Sequence, residues 1–294
     1  MLPLLLATLM TQDPPRASFA SRSELVVLRV SVVDRRAVFV SGLPREAFVI
    51  EEDGRAQPIQ FFENDDAPVT VGLVIDCSGS MQTRRDGVIA AGLAFASSSH
   101  PDDELFTLNF NERVWPGLPA NKPFTTDSGE LKLALERSTA RGQTALFDAI
   151  AAGLQHLGKG TRSRKVLVVV SDGGDNASTT GFAAVLDTAL RSDVVIYGIG
   201  IYDSNDRDAK PGLLRRLADA TGGDAFFPKT TADVTPLLER IARDIRSGYT
   251  VGYVPPSRNT AQPRRVRVEV RTADGRKLAA RARSAYIDVR GSGR

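Results

Sequence analysis

Two short runs, Val71-Gly72-Leu73-Val74-Ile75 and Val166-Leu167-Val168-Val169-Val170, are apolar at every position. A strand with one wet face alternates polar and apolar residues, so runs without alternation are central strands covered on both sides. They belong to a longer pattern. Strand-like segments at Val71 to Asp76, Leu105 to Asn109, Lys165 to Ser171 and Val194 to Ile201 are separated by helix-like segments at Arg85 to Ser97, Gly129 to Arg137, Ala145 to Leu157 and Phe182 to Arg191. Two more helices, Gly212 to Ala220 and Val234 to Arg246, bracket a short edge strand at Ala225 to Phe227. Strand and helix in turn predict βαβ units. The expected fold is α/β, a doubly wound, mostly parallel sheet with helices on both faces, over residues 67–248.

The flanks read differently. Glu24 to Val33, Ala37 to Val40, Phe48 to Glu51 and Ile59 to Phe62 are short strands broken by turns such as Asp53-Gly54. After the α/β block come Tyr249 to Val254, Val266 to Val270, and Leu278 to Val289 with breaks. Residues 21–66 and 249–294 are each too short to bury a good core alone. They are expected to pack together as one small β-sandwich-like module built from both termini. The length of 294 residues accommodates both units.

Composition narrows the chemistry. One cysteine excludes an internal disulfide, and with two histidines beside it a four-ligand Cys/His zinc site is out of reach. Any metal must be held mainly by oxygen. The net charge of +3 is too small to imply nucleic acid, and the basic excess sits at the end, with ten Lys and Arg against three acids from Arg264 onward. There Arg265, Arg267 and Arg271 alternate with valines, the pattern of a strand with one face in water; an electrostatic footprint for an acidic surface is the other reading. At the start, Leu2 to Met10 is far short of the roughly 20 apolar residues that cross a bilayer as a helix. Followed by Asp13-Pro14-Pro15 and the small-x-small site Ser18-Phe19-Ala20, residues 1–20 read as an export signal, which predicts a periplasmic or secreted protein; a miscalled start codon or a disordered tail is the alternative.

The most informative string is Val74-Ile75-Asp76-Cys77-Ser78-Gly79-Ser80-Met81, at the carboxyl end of a central strand, where open sheets bind ligands. Asp76, Ser78 and Ser80 alternate with Cys77 and Gly79. An extended exit from the strand sends one carboxylate and two hydroxyls to one side and Cys77 inward. Hard oxygens of this kind suit Mg²⁺, Mn²⁺ or Ca²⁺. Thr144, in Gly142-Gln143-Thr144-Ala145, precedes a helix and is either a further oxygen ligand or a helix N-cap. Asp172, in Ser171-Asp172-Gly173-Gly174-Asp175-Asn176, is either a ligand or an Asx-turn residue. Cys77 reads as a small buried residue, His100 and His156 as surface or packing residues. Asp203 to Asp208 reads as a solvated loop, without the glycine and terminal Glu of an EF-hand; a part in the ligand rim or in holding Ca²⁺ is the other reading.

Taken together, the three loops resemble the metal-ion-dependent adhesion site of von Willebrand factor A domains, whose pattern is Asp-x-Ser-x-Ser, then a Thr, then an Asp. Leu217-Ala218-Asp219-Ala220-Thr221-Gly222-Gly223 is similar to a helix end and turn of that family, and the resemblance covers about Pro68 to Ser247. Gly42-Leu43-Pro44-Arg45-Glu46-Ala47-Phe48 and Gly248-Tyr249-Thr250-Val251-Gly252-Tyr253 resemble, more loosely, flanking β regions of bacterial members. The resemblance implies metal ligands at Asp76, Ser78, Ser80, Thr144 and Asp172, with Mg²⁺, Mn²⁺ or Ca²⁺ bound. It also implies one coordination position left for a carboxylate of a protein partner. Neutral hydroxyls dominate such a shell, so the cation keeps net positive charge and attracts an external anion.

The expected function is a non-enzymatic, divalent-cation-dependent protein-binding or adhesion module. A metal-assisted hydrolase of the phosphoester type is the rival, and it needs a base or nucleophile aligned with the metal-bound substrate. None of the three loops contains His or Lys, Ser78 lies in no Gly-x-Ser-x-Gly elbow, and no Gly-x-x-x-x-Gly-Lys-Ser/Thr phosphate loop is present. A metal-free scaffold is the third reading.

Overall fold

The computed structural model of the chain describes residues 25–64, 66–137, 139–172, 174–202, 210–256 and 262–288. The export-signal segment 1–20 and the Asp203 to Asp208 loop lie outside the described residues. The chain opens with four strands, β1 (Val26–Val33), β2 (Phe48–Glu52), β3 (Arg55–Gln57) and β4 (Phe61–Glu63). The α/β block begins with β5 (Val69–Asp76), α1 (Arg85–Ser97), β6 (Glu104–Phe110), β7 (Val114–Pro116), α2 (Ser128–Glu136) and α3 (Leu146–Leu157). It continues with β8 (Arg164–Ser171), α4 (Phe182–Arg191), β9 (Val194–Gly200), α5 (Pro211–Thr221), β10 (Ala225–Phe226) and α6 (Val234–Ser247). Four strands follow: β11 (Tyr249–Tyr253), β12 (Arg264–Arg271), β13 (Lys277–Arg281) and β14 (Ala285–Tyr286).

The α/β sheet has the order β10-β9-β8-β5-β6-β7, parallel except for the antiparallel edge strand β7. Its central strands are buried on both faces, as their unalternating sequences require. Along β8, Val166, Val168 and Val170 join the core under α1 and α6, while Leu167 and Val169 join the core under α3, α4 and α5. From β5 the chain crosses to β6 on one side and later returns to β8 on the other. The exits of β5 and β8 therefore diverge, and the crevice between their carboxyl ends is the place where such sheets take ligands. No helix among the described residues is long and apolar enough to cross a membrane.

Both termini contribute to a second, antiparallel sheet, ordered β3-β2-β12-β13-β1-β11-β4 with β14 beside β12. Its two ends meet. Phe48 of β2 and Tyr249 of β11, far apart in strand order, have ring centroids 4.8 Å apart. The expected sandwich is thus one curled sheet, whose inner face buries Leu28, Val30, Ile50, Val251 and Tyr253. Ala37 to Val40, read as a strand, makes only a single bridge, Phe39 to Val33. A tight turn replaces it: the Asp34 carboxylate accepts the Arg36 and Val38 amides at 2.8 and 2.9 Å, and Ala37 has φ +59°. Strands β3 and β7 were not expected, because three residues are too few to display a period.

The basic strand β12 is a solvated face with one exception. Arg265, Arg267 and Arg271 are exposed, and Glu269 pairs with Arg267 at 2.6 Å and Lys277 at 3.2 Å. Arg264 instead points inward onto Glu52 at 2.8 Å.

The β module docks at the amino ends of the parallel strands. Arg164, which opens β8, donates to the Thr250 hydroxyl at 3.3 Å, and Arg283 donates to the Leu190 and Ser192 carbonyls at 3.0 and 2.8 Å. Near the end of α6, Asp244 accepts the Tyr197 hydroxyl at 2.9 Å together with the Ser31 hydroxyl and the Arg281 guanidinium of the module. The carboxyl ends of β5 and β8 lie at the opposite end. Because each half of the module covers the other, deleting residues 249–288 is expected to expose the apolar face of β1 and β2 and to cause aggregation in size-exclusion chromatography. A soluble, monomeric truncation of unchanged stability would rule out the shared core.

Candidate metal centre

Asp76 ends a strand that is buried along its whole length. Its Oδ1 accepts the Ser78 amide at 2.8 Å, and its Oδ2 accepts the hydroxyl of Ser171, the last residue of β8, at 2.6 Å. Burial pushes the Asp76 carboxyl up to about 6; hydrogen bonds from Ser171 and Ser78 oppose that rise and the nearby Asp172 adds to it. Cys77 turns inward as the alternation requires, with its amide donating to the Phe110 carbonyl at 2.6 Å. Ser78 stays extended at φ −66°, ψ 167°, and Gly79 to Met81 form a single 3₁₀ turn. That geometry brings the Ser78 and Ser80 hydroxyl oxygens to 3.1 Å from each other, and Ser80 donates to Asp172 Oδ1 at 2.8 Å. Asp76, Ser78, Ser80 and Asp172 are therefore one hydrogen-bonded cluster drawn from the ends of β5 and β8.

Thr144 sits on the adjoining loop. The Gly79 amide donates to the Gly142 carbonyl at 3.1 Å and the Arg141 amide to the Cys77 carbonyl at 2.9 Å, so the first two loops are joined through their backbones. Gly142 permits this with φ +80°; a Cβ there would lie 1.8 Å from Glu112 Oε2. The third loop holds Thr144 from the other side: its amide donates to Asn176 Oδ1 at 2.8 Å and its carbonyl accepts the Asn176 and Ala177 amides at 3.0 and 3.1 Å. The N-cap of α3 is Ala145, with no side-chain cap, so Thr144 does not serve as the helix cap. Instead the Phe147 and Asp148 amides donate to Asp175 Oδ1 at 3.2 Å and to the Ser178 hydroxyl at 3.0 Å.

The sequence reading missed two residues. Ser171, which holds Asp76, was visible beside Asp172 in the third string but carried no pattern of its own. Arg84 had no signal at all: it follows the Asp-x-Ser-x-Ser string on the turn into α1, and its side chain folds back. Its Nη1 stands 2.5 Å from Asp172 Oδ2, with the Arg84 side chain 22% and the Asp172 side chain 1% exposed.

The donor set fits a hard cation. It is all oxygen, carries two carboxylates, and already holds a positive group, the Arg84 guanidinium, against Asp172. Among the described residues no group of three His, Cys, Asp or Glu side chains is arranged to hold a metal, so an ion here depends on hydroxyls to complete its shell. The histidines lie apart: His156 stacks on Phe106 at 4.2 Å between centroids, and His100 accepts the Asp102 amide at 3.1 Å.

The comparisons agree with this architecture. No curated protein matches the chain in sequence. Among solved structures, a von Willebrand factor type A protein from Catenulispora acidiphila superposes with a TM-score of 0.55 at 15% identity, covering 92% of this chain and 75% of that one. Proximal thread matrix protein 1 from the mussel byssus gives 0.54 at 15% identity over 67% of this chain and 51% of its own, and one structure of it has a zinc-occupied metal-ion-dependent adhesion motif. A variant of the PilB minor pilin from Streptococcus sanguinis gives 0.51 at 12% identity, covering 66% and 64%. At such identities the likeness is one of fold. The model of the von Willebrand factor type A domain matches residues 71–241, more than half of the sequence and the whole run from β5 into α6, and the chain belongs to that family.

Proposed function

We propose that this protein is a non-enzymatic binding module in which a divalent cation, held by Asp76, Ser78, Ser80, Thr144 and Asp172, accepts a carboxylate from a protein partner. The observation that carries the reading is the convergence of two hydroxyls and two carboxylates in one cluster, with Ser80 linking Ser78 and Asp172 at 3.1 and 2.8 Å. Mg²⁺ or Mn²⁺ suits that donor set, since both accept a mixed shell of carboxylate, hydroxyl and water. When bound, the ion supplies a Lewis-acidic centre with an exchangeable position. The protein's own part is to hold the oxygens: Ser171 and the Ser78 amide fix the Asp76 carboxylate, the 3₁₀ turn fixes the two serines, and Asn176 fixes the Thr144 backbone.

The position of the cluster supports this role. It lies at the end of the sheet away from the β module, where Ser80 is exposed while Asp76, Ser78, Thr144 and Asp172 are buried. The zinc-occupied motif of the byssus protein and the pilin membership of another neighbour belong to those proteins. They are consistent with a binding module outside the cytoplasm, the setting that residues 1–20 also indicate. Neither His156, packed on Phe106, nor Cys77, turned into the core, stands at the cluster as a base or nucleophile.

The test is a pull-down from envelope extract with wild type and Asp76→Ala side by side, in Mg²⁺ and in EDTA, followed by carboxylate substitutions on the captured partner. Capture by wild type in Mg²⁺ alone, lost when one acidic residue of the partner is replaced, is the expected result. Equal capture in EDTA and by Asp76→Ala would mean the ion does not bridge.

A further inference from the structure

The Arg84 guanidinium is a cation built into the site. Its backbone is fixed by the turn that precedes α1, where the Arg84 amide donates to the Met81 carbonyl at 3.0 Å and its carbonyl accepts the Val88 amide at 3.1 Å. From there the side chain reaches back across Ser80, with Nη1 3.5 Å from the Ser80 carbonyl and 2.5 Å from Asp172 Oδ2. The carboxylate it meets is almost fully buried, whereas the arginine keeps one side toward water. An arginine does not lose its charge at any physiological pH, so this contact is relieved only by moving the side chain.

We infer that Arg84 is an internal competitor for the metal site: its guanidinium neutralises Asp172 when no ion is bound and must be displaced from Asp172 Oδ2 for a divalent ion to bind with full strength. This rests on the proposed ligand set and deepens it by adding a residue that sets the affinity. The buried Asp172 carboxylate lies near that of Asp76, and the guanidinium against Asp172 lowers the cost of holding the two together in the metal-free chain. A divalent ion makes the guanidinium redundant and repels it. The long arginine stem and its exposed side give it a route outward. A partner's carboxylate that arrives on the ion then finds the displaced guanidinium beside it, so metal and partner are expected to bind cooperatively.

The experiment is calorimetric titration of the full chain with Mn²⁺ at fixed pH and ionic strength, for wild type, Arg84→Ala, Arg84→Gln and Arg84→Lys, with Asp76→Ala as the non-binding control. Arg84→Ala and Arg84→Gln are expected to bind Mn²⁺ about tenfold more tightly than wild type, a modest share of what removing a partner from a buried charge changes. Arg84→Lys, which keeps the charge, should stay within a factor of about three of wild type. In the metal-free state the two neutral variants should melt at a lower temperature than wild type and recover the difference when Mn²⁺ is added. Equal or weaker Mn²⁺ binding by both neutral variants, with wild type still binding, overturns the competition and leaves the site intact. Failure of wild type and both neutral variants to bind Mn²⁺ at all overturns the ligand set and the competition with it.

Discussion

Asp76→Ala is expected to lose all divalent-ion-dependent stabilisation. An ion that binds only the folded chain adds roughly 2.7 kcal/mol when present at about 100 times its dissociation constant, and this shows as a raised melting temperature in wild type. Asp76 supplies a formal charge that Ser171 and the Ser78 amide hold in place, whereas Ser78 and Ser80 supply dipoles. Ser78→Ala and Ser80→Ala should therefore keep part of the effect. In EDTA the order reverses for one variant. Asp76→Asn removes a buried carboxylate that lies near Asp172, so the metal-free variant should melt above metal-free wild type. Thermal melts in Mg²⁺ and in EDTA read both effects, and an unchanged Mg²⁺ increment in Asp76→Ala would place the ion elsewhere.

The second large effect lies in the β module. Glu52 accepts the Tyr253 hydroxyl at 2.6 Å, the Tyr286 hydroxyl at 3.0 Å and Arg264 Nη1 at 2.8 Å, which ties β2 to β11, β14 and β12 in a buried network. Burial and the Glu52 carboxylate push both tyrosines up, so their hydroxyls stay protonated donors. Glu52→Ala leaves the buried Arg264 guanidinium without its carboxylate and is expected to cost about 3–5 kcal/mol, a large share of the total stability of a domain. Glu52→Gln keeps an acceptor for the tyrosines and should cost less. Chemical denaturation measures both, and a Glu52→Ala loss below about 1 kcal/mol would show that the network is not a structural lock. The site is remote from this network, so both variants should keep the Mg²⁺ increment.

Much of the fold was legible in periodicity. The unalternating runs placed β5 and β8 at the centre of a covered parallel sheet, and α1 and α4 fall where helix periodicity put them, at Arg85–Ser97 and Phe182–Arg191. With the strand bounds of the structure, period two also fits the buried pair. Glu52 shares the inward parity of Phe48 and Ile50, and Arg264 that of Val266 and Val270, although the strands expected from sequence end at Glu51 and begin at Val266 and leave both residues out. Two oppositely charged residues on inward parities call for each other, but only the curl of the sheet tells which strands meet.

The sequence by itself determined the α/β block, the union of the two flanks, and the three loops that carry Asp76, Ser78, Ser80, Thr144 and Asp172, because strand and helix periods and the spacing of a strand exit are local properties. Tertiary structure decided the rest. The curl that brings Phe48 to Tyr249, the caps that Asp175 and Ser178 give to α3 in place of Thr144, and the reach of Arg84 to Asp172 across 88 positions of sequence all depend on which distant segments lie side by side. A long, flexible, charged side chain has no period to betray its target, so the Arg84 guanidinium at the site was invisible until the loops were assembled around it.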